Sequence, residues 1–297
     1  MFEGGFTLDA AEAVLDLSSW TDAPSIVDAV QMLVDKSLLR TWVPVDQTRH
    51  ALEETYFGMY LTIHEYAAEK LAASGADRRR AAQERHGRYF ARFGSEERLL
   101  ALYRHGGGAR RRALTLELDN LVAACKRAVA HEDGAIAVAT LRAAWEAVMT
   151  QGPFDLAIDL GMQVDGLQQI EPTLRAAALT AVGRAAIAAG RLDLAVSVNE
   201  RALALARSAN DATREAEVLT GLANAERATG PHGRGAPPRR AGAGAARRAR
   251  PDRRRRALPS SASCSARPAR CRMRARPTSA RSRSIASWAT ATPRPRC

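Results

Sequence analysis

Residues 173–208 read TLRAAALTAVGRAAIAAGRLDLAVSVNERALALARS, and this stretch decides the expected fold. Small residues recur through it at helical spacing: Ala176, Gly183, Ala186 and Gly190, followed by Ala195, Ala202 and Ala206. Small side chains let the backbones of two packed helices approach closely, and a glycine readily ends a helix. The pattern therefore predicts two α-helices joined by a tight turn at Gly190.

The same unit recurs on both sides of this stretch. Residues 152–158, GPFDLAI, restate residues 190–196, GRLDLAV, at a spacing of 38, and Gly221 follows Gly183 at the same spacing. A helical hairpin cannot bury its apolar face alone, so such a unit needs neighbours. Residues 114–230 resemble the tetratricopeptide repeat, whose period is about 34 residues. This resemblance implies an α-helical solenoid that stops in mid-hairpin.

The beginning of the chain mixes helical and strand patterns. The predicted elements are a helix at 8–17 with Thr7 as its N-cap, a helix at 25–39, two short paired strands at 40–45 and 55–61 across a polar loop at 46–54, and a helix at 63–74. The second helix carries an apolar stripe formed by Ile26, Val27, Val30, Leu33 and Val34. This order of elements looks like a small winged-helix fold.

The order of four motifs makes a family resemblance specific. They are FEGGFTLDAAEAV at 2–14, LVDKSLL at 33–39, FGMYLTIHEYAAEKL at 57–71 and LTLELDNLVAAC at 114–125. Followed by tetratricopeptide-like hairpins, they resemble the C-terminal half of bacterial STAND-type regulators. Those are signal-transducing ATPases with a P-loop NB-ARC or NACHT domain, among them AfsR-like and LuxR-like transcriptional regulators. The resemblance covers residues 1–230 and implies a mostly α chain with a winged helix before the solenoid.

The nucleotide site of that family has no counterpart in this sequence. The P-loop pattern GxxxxGK followed by Ser or Thr does not occur, and Lys36-Ser37 follows Leu-Val-Asp without a glycine loop. The sequence also lacks a paired CxxC, a GxSxG elbow and a complete HExxH motif. We therefore expect no enzymatic activity, no cofactor and no metal in this chain.

A connector separates the two expected domains. Residues 76–93 form a basic amphipathic pattern that favours an interdomain helix over a nucleic-acid surface, and the Gly-rich RHGGGARRR at 104–112 is expected to be disordered. Helices at 114–131 and 135–149 lead into the repeats, with Trp145 in their core. The expected division is a winged helix at 1–75, a connector at 76–113, tetratricopeptide-like repeats at 114–230 and a disordered low-complexity tail at 231–297.

The net charge of +12 comes from the end of the chain. Residues 231–297 hold 19 Arg, no Lys and one acid, Asp252, so this tail carries +18 while residues 1–230 carry −6. Its Arg, Ala, Pro, Ser and Gly cannot bury enough apolar surface to offset chain entropy. This composition predicts disorder and a non-specific attraction to polyanions.

A shifted reading frame of the tail can encode a sequence that resembles the repeat. In a shifted reading frame with permitted synonymous codons, PTSARSRSIASWATATP at 277–293 becomes YERALALHRELGDRHP, which resembles NERALALARSANDATR at 199–214. We hypothesise that a one-base frameshift near codon 230 replaced two further repeats. The last helix would then lack its partner, leaving an apolar face exposed that consists of Val218, Leu219, Leu222 and Ala225.

The expected location is cytoplasmic. The N-terminus has an acid at Glu3 and no basic segment before an apolar run, so it is not a secretory signal. No run of 18 apolar residues occurs that would predict a membrane span.

Together these patterns favour a non-catalytic protein–protein interaction and signal-relay arm of a STAND-type regulator. The resemblance implies that the concave face of the solenoid binds a protein partner or ligand, and that the winged helix relays this event to an ATPase domain of the parent protein. The expected groove residues lie on the first helices of the hairpins: Arg142, Glu146, Arg175, Arg184 and Asn224.

The alternative is a DNA-binding transcriptional regulator that uses the winged helix and the basic tail. Asp28 and Asp35 in the second helix oppose it, because phosphate contacts need cations.

Resequencing the gene across codons 220–297 tests the frameshift hypothesis. We expect the source DNA to differ by one base, which would restore YERALALHRELGD in frame with the repeats. An unchanged DNA sequence would contradict the hypothesis, and the arginine-rich arm would then be a genuine part of the protein.

Overall fold

The computed structural model describes residues 1–44 and 54–229. Most of these residues are helical, and a small three-stranded sheet lies near the N-terminus. The mostly α fold expected from the sequence is therefore confirmed. The predicted loop at 46–54, except for Glu54, and the predicted disordered tail at 231–297 lie outside the described residues.

The N-terminal part of the described chain combines three helices with the sheet. Its elements are β1 (Gly5–Thr7), α1 (Leu8–Val14), α2 (Ile26–Asp35), β2 (Leu39–Trp42), β3 (Tyr56–Met59) and α3 (Leu61–Ala73). The central strand β3 pairs antiparallel with both neighbours, so that Phe57 lies opposite Phe6 of β1 and Thr41 of β2. The two predicted strands therefore pair as expected, and β1 is a strand that the pattern did not predict.

Side-chain caps set the beginnings of α1 and α2. The Thr7 hydroxyl accepts a hydrogen bond from the Ala10 amide at 3.2 Å, which confirms it as the N-cap. The Ser25 hydroxyl accepts from the Asp28 amide at 3.1 Å and caps α2 in the same way. Because α1 ends at Val14, it is shorter than the helix predicted at 8–17.

The connector is helical throughout much of its length. It contains α4 (Ala76–Ala91), a short 3-10 turn (Arg92–Gly94), α5 (Glu96–Ala101) and α6 (Gly107–Leu116). The prediction of disorder at residues 104–112 is wrong, since α6 begins inside that segment. Gly106 adopts a left-handed φ of 78°, and a side chain at Gly107 would collide with the Leu102 carbonyl oxygen. The glycines therefore permit a tight turn and close backbone packing between α5 and α6.

Six helices form the rest of the described chain. They are α7 (Leu118–Ala130), α8 (Gly134–Val148), α9 (Phe154–Asp165), α10 (Pro172–Ala188), α11 (Leu192–Ser208) and α12 (Ala212–Thr229). Each packs on the next, and α10 also packs on α8 and α12, so that these three helices lie side by side. Gly190 has a φ of 75° between α10 and α11, which confirms the predicted turn. Across residues 1–44 and 54–229, we find no helix with the length and apolar character that membrane spanning requires.

The glycines at the repeat spacing make room for one buried side chain. Asn199 of α11 is fully buried, and its Nδ2 donates to the Ala195 carbonyl at 2.8 Å. A Cβ at Gly183 would lie 2.5 Å from Asn199 Nδ2, and one at Gly221 would lie 3.0 Å from Oδ1. Glycine on α10 and α12 therefore lets Asn199 fill the space between the two helices.

The last helix is packed more completely than its sequence indicates. Val218 and Ala225 of α12 are fully buried and belong to the core shared by α7–α12. The expectation that the whole apolar face of α12 is exposed is therefore wrong for these two residues. Leu222 is partly buried, whereas Leu219 is 44% exposed. Val218 and Ala225 are seven residues apart and therefore lie on the same side of α12, which faces α10 and α11.

A second core joins the N-terminal elements to the connector and to helices α7 and α8. Its buried members include Phe6, Tyr89, Phe90 and Leu121, which come from β1, α4 and α7. Helix α4, which was expected to be an interdomain strut, therefore supplies part of this core. The core crosses the boundary that the sequence predicts at residue 75.

His86 lies inside this second core. Its ring is fully buried, with its centroid 4.5 Å from that of Phe90 and 5.6 Å from that of Phe2. Neither ring nitrogen has a hydrogen-bond partner among the described residues. Burial, the Arg127 guanidinium and the N-terminal ammonium group lower the pKa of His86 to about 3. The folded protein therefore holds this imidazole neutral.

The neutral state of His86 predicts a loss of stability in mild acid. In the unfolded chain the imidazole takes up a proton near pH 6.5, whereas in the folded protein it does so only near pH 3. The full stability is thus present above about pH 6.5 and falls by roughly 1.4 kcal/mol per pH unit below it. Between pH 7 and pH 5 this amounts to about 2 kcal/mol.

Urea unfolding at pH 7 and pH 5 measures this effect. We expect His86→Phe, which suits the aromatic surroundings, to remove about 2 kcal/mol of the pH-dependent loss. His105→Gln removes an exposed imidazole and should keep the wild-type loss. An equal loss in wild type and His86→Phe would show that His86 does not cause it.

Candidate functional site

Four of the five residues expected in the groove surround one cavity. Arg142 and Glu146 reach it from α8, Arg184 from α10 and Asn224 from α12. The cavity has a volume of about 400 Å³, and we call it the polar cavity. Helices α8, α10 and α12 therefore all contribute to it, which follows from their side-by-side packing.

Arg175 is the exception. Its Nη2 donates to the Leu167 carbonyl at 2.6 Å, and it does not line the polar cavity. Arg175 precedes Arg184 by nine residues on α10, and at about 100° per residue this places the two side chains on opposite sides of the helix. Ala177, Thr180 and Ala181 precede Arg184 by seven, four and three residues and share its cavity-facing side.

A buried carboxylate holds the wall of the polar cavity together. The Glu146 side chain is 4% exposed, and its Oε1 and Oε2 lie 3.0 Å and 2.9 Å from the Tyr103 hydroxyl, whose single proton they share as acceptors. Arg111 Nη2 donates to it at 3.1 Å, and Arg184 Nη2 lies 3.3 Å away. One carboxylate thus bridges the turn after α5, helix α6, helix α8 and helix α10. Since two guanidinium groups share one carboxylate, the cluster carries a surplus positive charge.

Aromatic rings support the two arginines of this cluster. The Arg184 guanidinium lies 5.5 Å from the Trp145 ring centroid and also donates to the Tyr103 hydroxyl at 3.2 Å. The Arg111 guanidinium lies 5.2 Å from the Tyr103 ring centroid. Partial burial and the neighbouring Glu146 carboxylate raise the pKa of Tyr103, so its hydroxyl stays protonated and acts as a donor. Trp145 is nearly buried, as predicted.

The remaining charges of the polar cavity are paired across its rim. Arg142 Nη2 donates to Glu96 at 2.8 Å, and Arg214 Nη1 donates to Glu217. In the part of the chain that the structure describes, the buried Nε of Arg214 finds no acceptor. The rim is therefore electrostatically balanced, and the surplus charge belongs to the Glu146 cluster.

Several residues of the site were not expected from the sequence. Tyr103 and Glu96 belong to the connector, where no short helix was predicted. Arg214 and Glu217 precede Asn224 by ten and seven residues, and this helical spacing could have identified them. Glu96 and Tyr103 carry no such signal, because only the tertiary structure brings their side chains to Arg142 and Glu146 of α8.

The chemistry that lines the polar cavity suits binding. Its polar groups are guanidinium groups, carboxylates, an amide and three hydroxyls, the last from Tyr103, Thr180 and Thr220. Among residues 1–44 and 54–229, no group of three or more His, Cys, Asp or Glu side chains could hold a metal ion. The Cys125 thiol lies elsewhere, fully buried in the core, and burial raises its pKa to about 11. It is therefore protonated at neutral pH.

Comparisons of the chain with protein-family models, curated proteins and solved structures give no match.

Glu146→Gln tests whether the buried carboxylate supports the site. The neutral amide would leave Arg111 and Arg184 without a charged partner, and we expect it to lower the free energy of unfolding by about 2–4 kcal/mol. Glu96→Gln is the matched control, because Glu96 is 57% exposed in its pair with Arg142 and should contribute less than about 1 kcal/mol. Urea unfolding at pH 7 measures both. Equal losses in the two variants would contradict a special role for Glu146.

Proposed function

We propose that this chain is a non-catalytic protein–protein interaction and signal-relay arm of a STAND-type regulator. In this proposal, α7–α12 form a tetratricopeptide-like solenoid, and the N-terminal helices and sheet form a winged-helix relay. The consecutive packing of the helices and the alignment of α8, α10 and α12 support the first part. The pairing of the two predicted strands supports the second.

The convergence of Arg142, Glu146, Arg184 and Asn224 around one cavity carries this proposal. These four residues lie on α8, α10 and α12, which are the first helices of the proposed hairpins. In a solenoid of this type, the first helices line the concave binding face. The cavity is polar, prearranged by the Glu146 cluster and flanked by the Trp145 ring. Aromatic and arginine side chains are enriched at protein–protein interfaces, and prearranged groups lower the free-energy cost of binding.

The site is also joined to the connector. Tyr103 follows α5 and Arg111 lies on α6, and both donate to Glu146 at the edge of the cavity. A partner that binds Arg184 would therefore change the environment of the Glu146 carboxylate, which Tyr103 and Arg111 of the connector also contact. This arrangement supports a relay from the solenoid toward the N-terminal elements.

Selection of peptides from a phage-displayed library on the full chain tests the proposed function. We expect peptides to be selected whose affinity falls at least about tenfold in the double variant Arg184→Ala/Asn224→Ala, since hot-spot residues typically contribute this much. Asn224→Ala alone, which leaves the Glu146 cluster intact, should weaken binding in the same direction.

Arg175→Ala is the matched control because Arg175 lies on the same helix as Arg184 but on its opposite side. It should leave the affinity unchanged. If the selected peptides bind all these variants equally, or if no peptide is selected, the proposed binding site is wrong.

A further inference from the structure

A second cavity continues the polar cavity along the same helices. It has a volume of about 670 Å³ and shares Trp145, Arg184 and Asn224 with the polar cavity. We call it the apolar lobe, since Met149, Ile187, Ala188 and Ala228 supply much of its lining. The two cavities together form one groove across α8, α10 and α12.

The charge of the apolar lobe has one sign. Its lining contains Arg184 and Arg227 and, among the described residues, no carboxylate. Arg227 Nη2 donates to Asn224 Oδ1 at 2.8 Å, which holds the guanidinium at the edge of the lobe. Arg184 is 42% exposed, and the Glu146 carboxylate that it approaches is already shared with Arg111. Neither arginine is therefore fully neutralised within the groove.

We propose that the apolar lobe binds a segment of a partner protein that presents an apolar side chain next to an acidic one. This inference rests on the proposed function, since it assumes that the groove is a binding site. The apolar side chain would pack against Met149 and Ile187, which supply flexible and branched apolar surface. The acidic side chain would accept charge-assisted hydrogen bonds from Arg184 and Arg227. Complementary charge of this kind selects one partner chemistry over another.

A substitution at Arg227 can test this inference without changing the Glu146 cluster. Arg227 lies at the exposed edge of α12 and bonds only to Asn224 among the contacts described, whereas Arg184 also holds the Glu146 cluster. Arg227→Gln removes the charge without disturbing that cluster. Arg207→Gln is the matched control, because Arg207 is an exposed arginine on α11 that pairs with Glu215 and does not line the groove.

The test measures the binding of acetylated and amidated nine-residue peptides to the immobilised full chain by surface plasmon resonance. In a Gly-Ser background, one peptide series carries Leu and Glu at separations of one to four residues. Matched peptides replace Glu with Gln or Lys, or Leu with Ser. The blocked ends ensure that the negative charge comes from a side chain alone.

The arginine-rich tail attracts any acidic peptide, so a preference for Glu is not by itself informative. The test therefore compares the ratio of the Glu-peptide affinity to the Gln-peptide affinity in wild type with the same ratio in Arg227→Gln, as in a double-mutant cycle. We expect the best-spaced Leu-Glu peptide to bind at least about fivefold tighter than its Gln analogue in wild type and in Arg207→Gln. In Arg227→Gln this ratio should fall at least about threefold.

Three outcomes would overturn the inference: an unchanged Glu-to-Gln ratio in Arg227→Gln, equal binding of the Ser-Glu and Leu-Glu peptides, or no binding of any Leu-Glu peptide. The proposed function would survive these outcomes if peptides from the phage library still depend on Arg184 and Asn224. If that dependence is absent as well, the groove is not a binding site.

Discussion

The buried carboxylate of Glu146 is the constraint on which the rest of the site depends. A charge taken out of water is costly unless close partners compensate it. Tyr103, Arg111 and Arg184 provide that compensation, and they come from three different parts of the chain. Moving any of the three elements would leave the carboxylate incompletely paired. The cluster therefore adds charged contacts between the connector, α8 and α10 to the apolar contacts of the second core.

Much of the helical structure of α10–α12 could be predicted because its signals are local. Gly190 marks a turn that only a residue without a side chain adopts easily, and the small residues on either side report on close helix packing. The spacing of Gly183 and Gly221 was informative for the same reason, since both make room for the Asn199 side chain. Thr7 was recognised as an N-cap from its position alone.

The errors arise where tertiary packing decides the outcome. Arg175 was placed in the groove because it lies on the correct helix, but its side chain points away from the side that carries Arg184. The glycines of residues 104–112 predict disorder from the sequence alone, whereas Gly107 lets the backbone approach Leu102 closely enough for α6 to begin. The strand β1 has three residues, too few to show alternation, and becomes recognisable only through its pairing with β3.

Helix α8 explains how an event at the groove could reach the N-terminal elements. One of its sides, with Leu141, Trp145 and Val148, belongs to the core formed by α7–α12. Another, with Ala143, Ala144 and Ala147, belongs to the core shared with β1, α1 and α4. Arg142 and Glu146 project from the same helix into the polar cavity. Because close-packed interiors transmit small displacements, a partner held at Arg142 would act on a helix that both cores share. The relay that we propose therefore needs no separate moving part, since α8 already contacts the site and both cores.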